Sequence, residues 1–162
     1  MLSLDEKTIR ASFVNATRKE LSDLTIPDLA AVDFDRLDYL GWRDARLSKR
    51  AYFVVHLADG PVGVVLKQAD GAPRSRAQCS WCQDIHLPND VVMFGARRTG
   101  AAGRGGNSIA TLICSNFECS TNVRKKPPMA YIGFDIEAAR LQRIAVLQDR
   151  AAAFATDIAL GS

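Results

Sequence analysis

The 162-residue sequence predicts an α+β fold, and three observations lead to that prediction. Two pairs of β-branched and aromatic runs, 51–57 with 62–66 and 91–97 with 108–113, are each joined by a glycine-containing segment, as in β-hairpins. Four cysteines fall in two close pairs on either side of the second hairpin. Apolar residues near the end of the chain recur every three or four positions, which indicates a long amphipathic helix.

The first element in chain order is a helix predicted from about residue 4 to 21. Ser3 and Glu6 have the spacing of a capping box that would begin this helix. One apolar stripe at helical spacing consists of Ile9, Phe13 and Ala16. We therefore expect the helix to pack on the core and to carry no chemistry.

The segment 26–44 is rich in leucine and aromatic residues, although a proline opens it. Such a composition predicts a connection that lies against the core. Residues 41–44 have the pattern of a turn that anchors the indole of Trp42. Packing in the core is the preferred interpretation of Trp42, and a contact with a partner is the alternative.

The first hairpin is predicted around Asp59 and Gly60, because an Asp-Gly pair between two strand-like runs is a strong turn signal. His56 lies within the first of these runs, with no second histidine or cysteine near it in sequence. We expect His56 to be structural.

The second hairpin separates the cysteine pairs. The first pair has two intervening residues, the second has four, and a spacer at 83–113 lies between them. Two close pairs of thiolates suit the tetrahedral coordination of a structural zinc ion. The predicted ligands are Cys79, Cys82, Cys114 and Cys119. Four free or redox-active cysteines are the alternative.

The residues around these pairs predict a treble-clef zinc finger at 77–126. The four glycines between 99 and 107 suggest a flexible hairpin tip, and 116–125 could form a short helix that begins inside the second pair. His86 is the one residue that could replace a cysteine on the metal, although four thiolates already fill the shell. Trp81 either packs beside the site or presents an aromatic face.

The last predicted element is a helix of about six or seven turns. Asp135 is placed to cap its start, and Gly161 follows its end. Its apolar stripe consists of Leu141, Ile144, Leu147, Ala151, Phe154 and Ile158. We expect this stripe to pack on the first helix and the sheet, with a contact to a partner as the alternative.

Composition predicts one ordinary globular domain, 1–162, with 48% hydrophobic and 24% charged residues. No apolar run approaches the roughly 20 residues of a membrane helix, and the start of the chain lacks the basic region of a signal peptide. We therefore expect a cytoplasmic protein without a membrane contact. In that compartment thiols stay reduced, and clustered cysteines favour metal binding.

The positive charge is concentrated in the second part of the chain. Residues 67–126 contain nine lysines and arginines against four acidic residues. This excess is typical of a surface that binds RNA, a ribosome-associated partner or an acidic protein. A basic face that only keeps the protein soluble agrees equally well with the charge.

The sequence does not predict an enzyme or a small-molecule substrate. Its glycine-rich stretch lacks the lysine and the context of a phosphate-binding loop. Neither histidine has a nucleophile or a carboxylate at a diagnostic spacing. A zinc ion with four cysteine ligands also has no open position for a catalytic water.

The chain resembles the elongation factor G-binding proteins, whose C-terminal treble-clef zinc finger also occurs in fusidic-acid resistance proteins. The resemblance extends from about residue 10 to 157. The residues that carry it are Phe13-Val14-Asn15, Leu40-Gly41-Trp42-Arg43-Asp44, Ala51-Tyr52, Val62-Gly63-Val64-Val65-Leu66, Cys79, Cys82, Val92-Met93-Phe94, Ala96-Arg97-Arg98, Gly100, Gly106-Asn107-Ser108, Ile113-Cys114 and Cys119.

This resemblance implies a zinc-dependent binding protein that docks on elongation factor G or a ribosome-associated translation factor and modulates its release. The alternative is a zinc-finger module that binds ribosomal RNA through its basic face. If the resemblance holds, we expect the partner to meet the hairpin and the helix of the finger. The predicted contact residues are Phe94, Arg97, Arg98, Arg104, Arg124, Lys125 and Lys126.

Overall fold

The structure is a computed structural model that describes residues 1–71, 77–84 and 90–161. The described residues form a five-stranded antiparallel sheet whose strands lie in sequence order. The strands are β1 (Leu40–Arg43), β2 (Arg50–Leu57), β3 (Gly60–Gln68), β4 (Val91–Arg97) and β5 (Ser108–Cys114). The helices are α1 (Glu6–Ser12), α2 (Arg18–Asp23), α3 (Gly100–Arg104), α4 (Cys119–Arg124) and α5 (Ile136–Leu160), and two single 3-10 turns lie at Leu29–Ala31 and Phe34–Arg36. The predicted α+β class is confirmed.

The N-terminal helix predicted from 4 to 21 is wrong, because the chain forms two short helices with an extended segment between them. Phe13 pairs in parallel with Gly63, and the amide of Val14 donates to the Gly63 carbonyl at 3.0 Å. These bonds to β3 replace the helical bonds that the periodicity predicted. Asp5 caps α1 instead of Ser3, and the capping box of this region opens α2 at Thr17.

Asn15 bridges two strands where the sheet divides. β3 and β4 pair only at Lys67 with Gly95 and at Gln68 with Phe94. Beyond this point the Asn15 side chain accepts from the Val65 amide at 2.8 Å and donates to the Val65 carbonyl at 3.1 Å. It also donates to the carbonyl of Arg97, on β4, at 3.0 Å. One buried amide therefore satisfies backbone groups that no neighbouring strand reaches.

The turn predicted at 41–44 is strand β1, which pairs with β2 in a register that places Trp42 opposite Tyr52. Aromatic packing favours this strand, because the Trp42 ring lies 5.3 Å from Tyr52 in a tilted contact and 6.3 Å from Phe13 in an edge contact, centroid to centroid. The indole N–H donates to the Thr25 carbonyl at 2.8 Å. Trp42 therefore packs within the protein, as preferred from the sequence.

The two predicted hairpins are confirmed, with β2 pairing to β3 and β4 to β5. A ring nitrogen of His56 lies 3.3 Å from the Leu2 carbonyl oxygen, which agrees with a structural role. The tip of the second hairpin is more ordered than predicted, because 100–104 form the single-turn helix α3. A Cβ atom on Gly103 would lie 1.7 Å from the carbonyl oxygen of Arg98, so this turn requires glycine there.

The long helix α5 covers one face of the sheet and has the predicted caps. Asp135 accepts from the Ala138 amide at 2.9 Å, and Gly161 takes the left-handed conformation that ends the helix. Its buried residues join the larger core, and a smaller core lies under α1 on the opposite face. No helix among the described residues is long and apolar enough to cross a membrane.

Candidate metal centre

The first cysteine pair lies on a tight turn held against the edge of the sheet. The Gln83 amide donates to the Cys79 carbonyl at 3.0 Å, and the Cys82 amide points at the Cys79 sulfur at 3.4 Å. Gln83 takes a positive φ of 53°, which lets the chain leave the turn. The Ser80 amide donates to the Leu112 carbonyl on β5 at 2.7 Å. This bond aligns the first pair with the end of the second hairpin.

The second cysteine pair joins the end of β5 to the start of α4. The Phe117 amide donates to the Cys114 carbonyl at 3.0 Å, and Phe117 has a positive φ of 63°. This turn takes up the four residues of the wider spacing and places Cys119 in the first turn of the helix. Gly41 on β1 makes room for it, because a Cβ atom there would lie 2.5 Å from the Phe117 ring.

The four sulfur atoms converge in one buried cluster. Each lies within 4.8 Å of the others, with 3.6 Å between Cys79 and Cys119 and 3.7 Å between Cys82 and Cys114. A tetrahedral zinc ion with bonds of about 2.3 Å requires a separation of about 3.8 Å between sulfurs. The cysteines are free, and their separations far exceed the roughly 2.05 Å of a disulfide. The donor set therefore fits zinc.

The thiols compete for protons when no metal neutralises them. Hydrogen bonding from Cys114 lowers the pKa of Cys82 to about 7 and holds the pKa of Cys79 far below its usual range. Hydrogen bonding to Cys114 raises the pKa of Cys119 well above its usual value. Zinc binds the thiolate form, so its positive charge stabilises four anions that could not otherwise coexist.

Helix α5 fastens both cysteine turns to the core. Arg150 donates to the Ser80 carbonyl at 2.7 Å in the first turn. Arg143 pairs with Asp84 at 3.2 Å and also donates to the Asn122 carbonyl on α4 at 3.3 Å. The metal centre and the long helix therefore form one packed unit.

Trp81 packs beside the site, which decides between the two alternatives left by the sequence. Its buried ring lies 5.0 Å from Tyr39, 5.2 Å from Phe53 and 5.9 Å from Phe154, centroid to centroid. The indole thereby connects the first cysteine turn to β2 and α5. His86, the other residue considered near this turn, lies outside the described residues.

Two of the predicted contact residues are engaged inside the protein. Phe94 is fully buried and stacks on Phe117 with centroids 5.5 Å apart. Its side chain belongs to the core, so placing it on a contact surface is wrong. Arg124 forms a bidentate ion pair with the buried carboxylate of Asp38, with N–O distances of 2.5 and 3.1 Å. This pair connects α4 to the segment before β1.

The other predicted contact residues fall into two separate groups. Arg97 donates to the Asn15 carbonyl at 3.2 Å and Arg98 to the Asp157 carbonyl at 2.8 Å, near the end of α5. Arg104 is exposed in the same region. The exposed side chains of Lys125 and Lys126 lie at the zinc end, where Arg143 contacts the Lys125 carbonyl. The α5 residues that they contact, Arg143 and Asp157, are about 21 Å apart along the helix, at about 1.5 Å per residue. The two groups therefore do not form one patch.

An exposed apolar loop, not predicted from the sequence, lies between α4 and α5. Its solvent-exposed fractions are 68% for Met129, 66% for Tyr131 and 99% for Ile132. The Phe134 amide donates to the Tyr131 carbonyl at 3.1 Å, and the two rings make an edge contact at 5.4 Å. The loop therefore forms a hydrogen-bonded turn with Ile132 exposed at its tip. Two prolines followed by apolar residues, at 127–132, are the sequence signal from which an apolar loop could have been predicted.

The fold and the cysteine cluster define a treble-clef zinc finger: a cysteine turn, a hairpin, and a second cysteine turn that opens a helix. The sequence matches the family described as FBP C-terminal treble-clef zinc-finger over residues 8–158. The chain belongs to this family, and the family and the cysteine cluster together support one structural zinc ion.

Among solved structures, the chain is similar to the structure of the fusidic acid resistance protein FusC. The two are 22% identical, the match covers 66% of this chain and 50% of that chain, and the TM-score is 0.45. The matched region thus spans half the length of FusC. No curated protein matches the sequence.

Proposed function

We propose that the protein is a zinc-dependent binding module that docks on elongation factor G, alone or on the ribosome, and modulates its release. The observation that carries the proposal is the exposed apolar loop that joins α4, the helix of the zinc finger, to α5. Membership of the zinc-finger family and the resemblance to elongation factor G-binding proteins support elongation factor G as the partner. A closed four-cysteine site suits this role, because it shapes a surface and offers no open position for chemistry.

The proposed contact surface consists of residues 129–134, called the contact loop, with Lys125 and Lys126. Met129, Tyr131 and Ile132 are exposed on the same short loop. A contiguous group of exposed apolar side chains, unlike a single one, marks an interaction site. Tyr131 supplies aromatic area with a hydroxyl group, a combination frequent among residues that dominate binding energy. The two lysines add a positive rim that suits an acidic partner surface.

Binding to ribosomal RNA is the competing function, and the distribution of charge weakens it. Phosphate recognition requires several cations along one path. The basic residues of the finger are instead split into two groups about 21 Å apart along α5. Arg124 is paired with a buried carboxylate, and Arg97 and Arg98 donate to backbone carbonyls. An apolar loop with a positive rim fits a protein surface better than a phosphate backbone.

The test is calorimetric titration of purified elongation factor G with the zinc-loaded protein and its variants. We expect Ile132→Ser to weaken binding at least about tenfold, or roughly 1.4 kcal/mol. Leu160→Ser is the matched control, because Leu160 is 71% exposed at the far end of α5. Zinc content and helicity should be unchanged in both variants.

Three outcomes would contradict parts of this proposal. No heat of binding with the parent protein would remove elongation factor G as the partner. Equal affinities for Ile132→Ser and the parent would move the interface away from the contact loop. A steep log-linear loss of affinity with salt, together with binding to ribosomal RNA, would favour the nucleic-acid function.

A further inference from the structure

Asn122 is a buried polar residue on α4 that contacts two of the predicted zinc ligands. Its solvent-exposed fraction is 1%. The side-chain nitrogen lies 3.6 Å from the sulfur of Cys114 and 3.8 Å from the sulfur of Cys82. These sulfurs belong to different cysteine turns. One amide group therefore reaches both halves of the metal centre from the helix that the second turn begins.

The orientation of this amide follows from its partners. The side-chain oxygen of Asn122 lies 3.3 Å from the ammonium nitrogen of Lys125, one turn further along the helix. An ammonium group only donates hydrogen bonds, and a thiolate only accepts them. The oxygen must therefore face Lys125, and the two N–H bonds must face the sulfurs. Lys125 also polarises the amide in the direction that strengthens its N–H donors.

A site with four thiolates and one zinc ion carries a net charge of about −2, and this charge is buried here. Hydrogen-bond donors that point at the sulfurs withdraw electron density and stabilise the anionic shell. Outer-shell partners of this kind typically change metal affinity about 10- to 100-fold. Asn122 is suited to this role, because it is uncharged, rigidly held on a helix and shielded from water.

We propose that Asn122 is a positioning residue of the zinc centre. It donates one N–H to Cys82 and one to Cys114, and Lys125 fixes the direction of its amide. The hydrogen bonds hold one sulfur of each turn in place and make both sulfurs poorer electron donors. Zinc affinity is therefore set partly by a residue that does not bind the metal, and Lys125 connects it to the protein surface.

The test compares Asn122→Leu with a matched control in the full chain. Leucine keeps the volume and removes both donors. Ser120→Ala is the control, because Ser120 is also buried on α4. Its hydroxyl accepts a hydrogen bond from the Asp38 amide at 3.0 Å, whereas the Asn122 amide donates to the cysteine sulfurs. The readouts are zinc affinity in competition with a chelator and the sulfur-to-cobalt charge-transfer band of the cobalt-substituted protein.

We expect Asn122→Leu to lower zinc affinity about 10- to 100-fold. It should also move the cobalt band to lower energy, because the sulfurs become better electron donors. Ser120→Ala should leave the band in place even if it weakens the fold.

An unchanged band in Asn122→Leu, or the same change in both variants, would overturn the proposal. If Asn122→Leu does not fold, Lys125→Met decides, because Lys125 is exposed. A smaller band shift in the same direction would support the proposal, and an unmoved band would overturn it.

Discussion

Asn15→Ala tests whether one side chain holds the divided sheet together. The substitution removes three hydrogen bonds to the backbone of β3 and β4. Each bond contributes about 1 kcal/mol, and a buried backbone group left without a partner costs about 1 to 3 kcal/mol. We therefore expect unfolding free energy to fall by about 3 kcal/mol. For a domain of this size the melting temperature should fall by about 6 to 12 °C.

Urea unfolding of the zinc-loaded protein measures this loss, with Asn107→Ala as the control because Asn107 is exposed at the tip of the second hairpin. The control should change stability by less than about 0.5 kcal/mol. Zinc content should remain the same in both variants, because neither side chain touches a cysteine turn. A loss in Asn15→Ala no larger than in the control would show that the bridge is not needed.

Three further predictions concern the zinc finger and its attachment. Gly41→Ala should lower stability by about 1 to 3 kcal/mol and weaken zinc binding, because its Cβ would meet the Phe117 ring at 2.5 Å; thermal unfolding and chelator competition measure both. Arg124→Met should cost about 3 kcal/mol in urea unfolding, because it leaves the buried Asp38 carboxylate without its ion pair. Zinc retention against a chelator should weaken as pH falls, because zinc binds the thiolate form of each cysteine and protons compete for it.

The sequence predicted the elements whose signals are local. An Asp-Gly pair indicated the first hairpin, cysteine spacing indicated the metal centre, and a capping aspartate with a closing glycine bounded α5. These patterns depend on neighbours within a few residues, so tertiary structure did not override them.

The errors arose where distant residues decide the local structure. Phe13 has helical spacing from Ile9 and Ala16, which predicted a continuous helix. In the structure, Phe13 pairs with Gly63 and the Asn15 side chain bonds to the Val65 backbone, both on β3 and about 50 residues away, and the helix ends before them. Phe94 looked suitable for a partner contact, but its alternating position on β4 faces the core. The position of Asn122 beside the metal centre could have been predicted from the sequence, because Asn122 lies three residues after Cys119 and therefore on the same helix face.

Native mass spectrometry of the purified protein tests the central claim most directly, because it reports folding and metal content together. If zinc holds the two cysteine turns together, the protein should be a compact species that carries one zinc ion and loses it only on unfolding or chelation. Replacing Cys119 by serine should remove the zinc and lower stability by several kcal/mol. A compact, metal-free parent protein that resists unfolding as well as the zinc-loaded protein does would contradict the claim that zinc holds the two cysteine turns together.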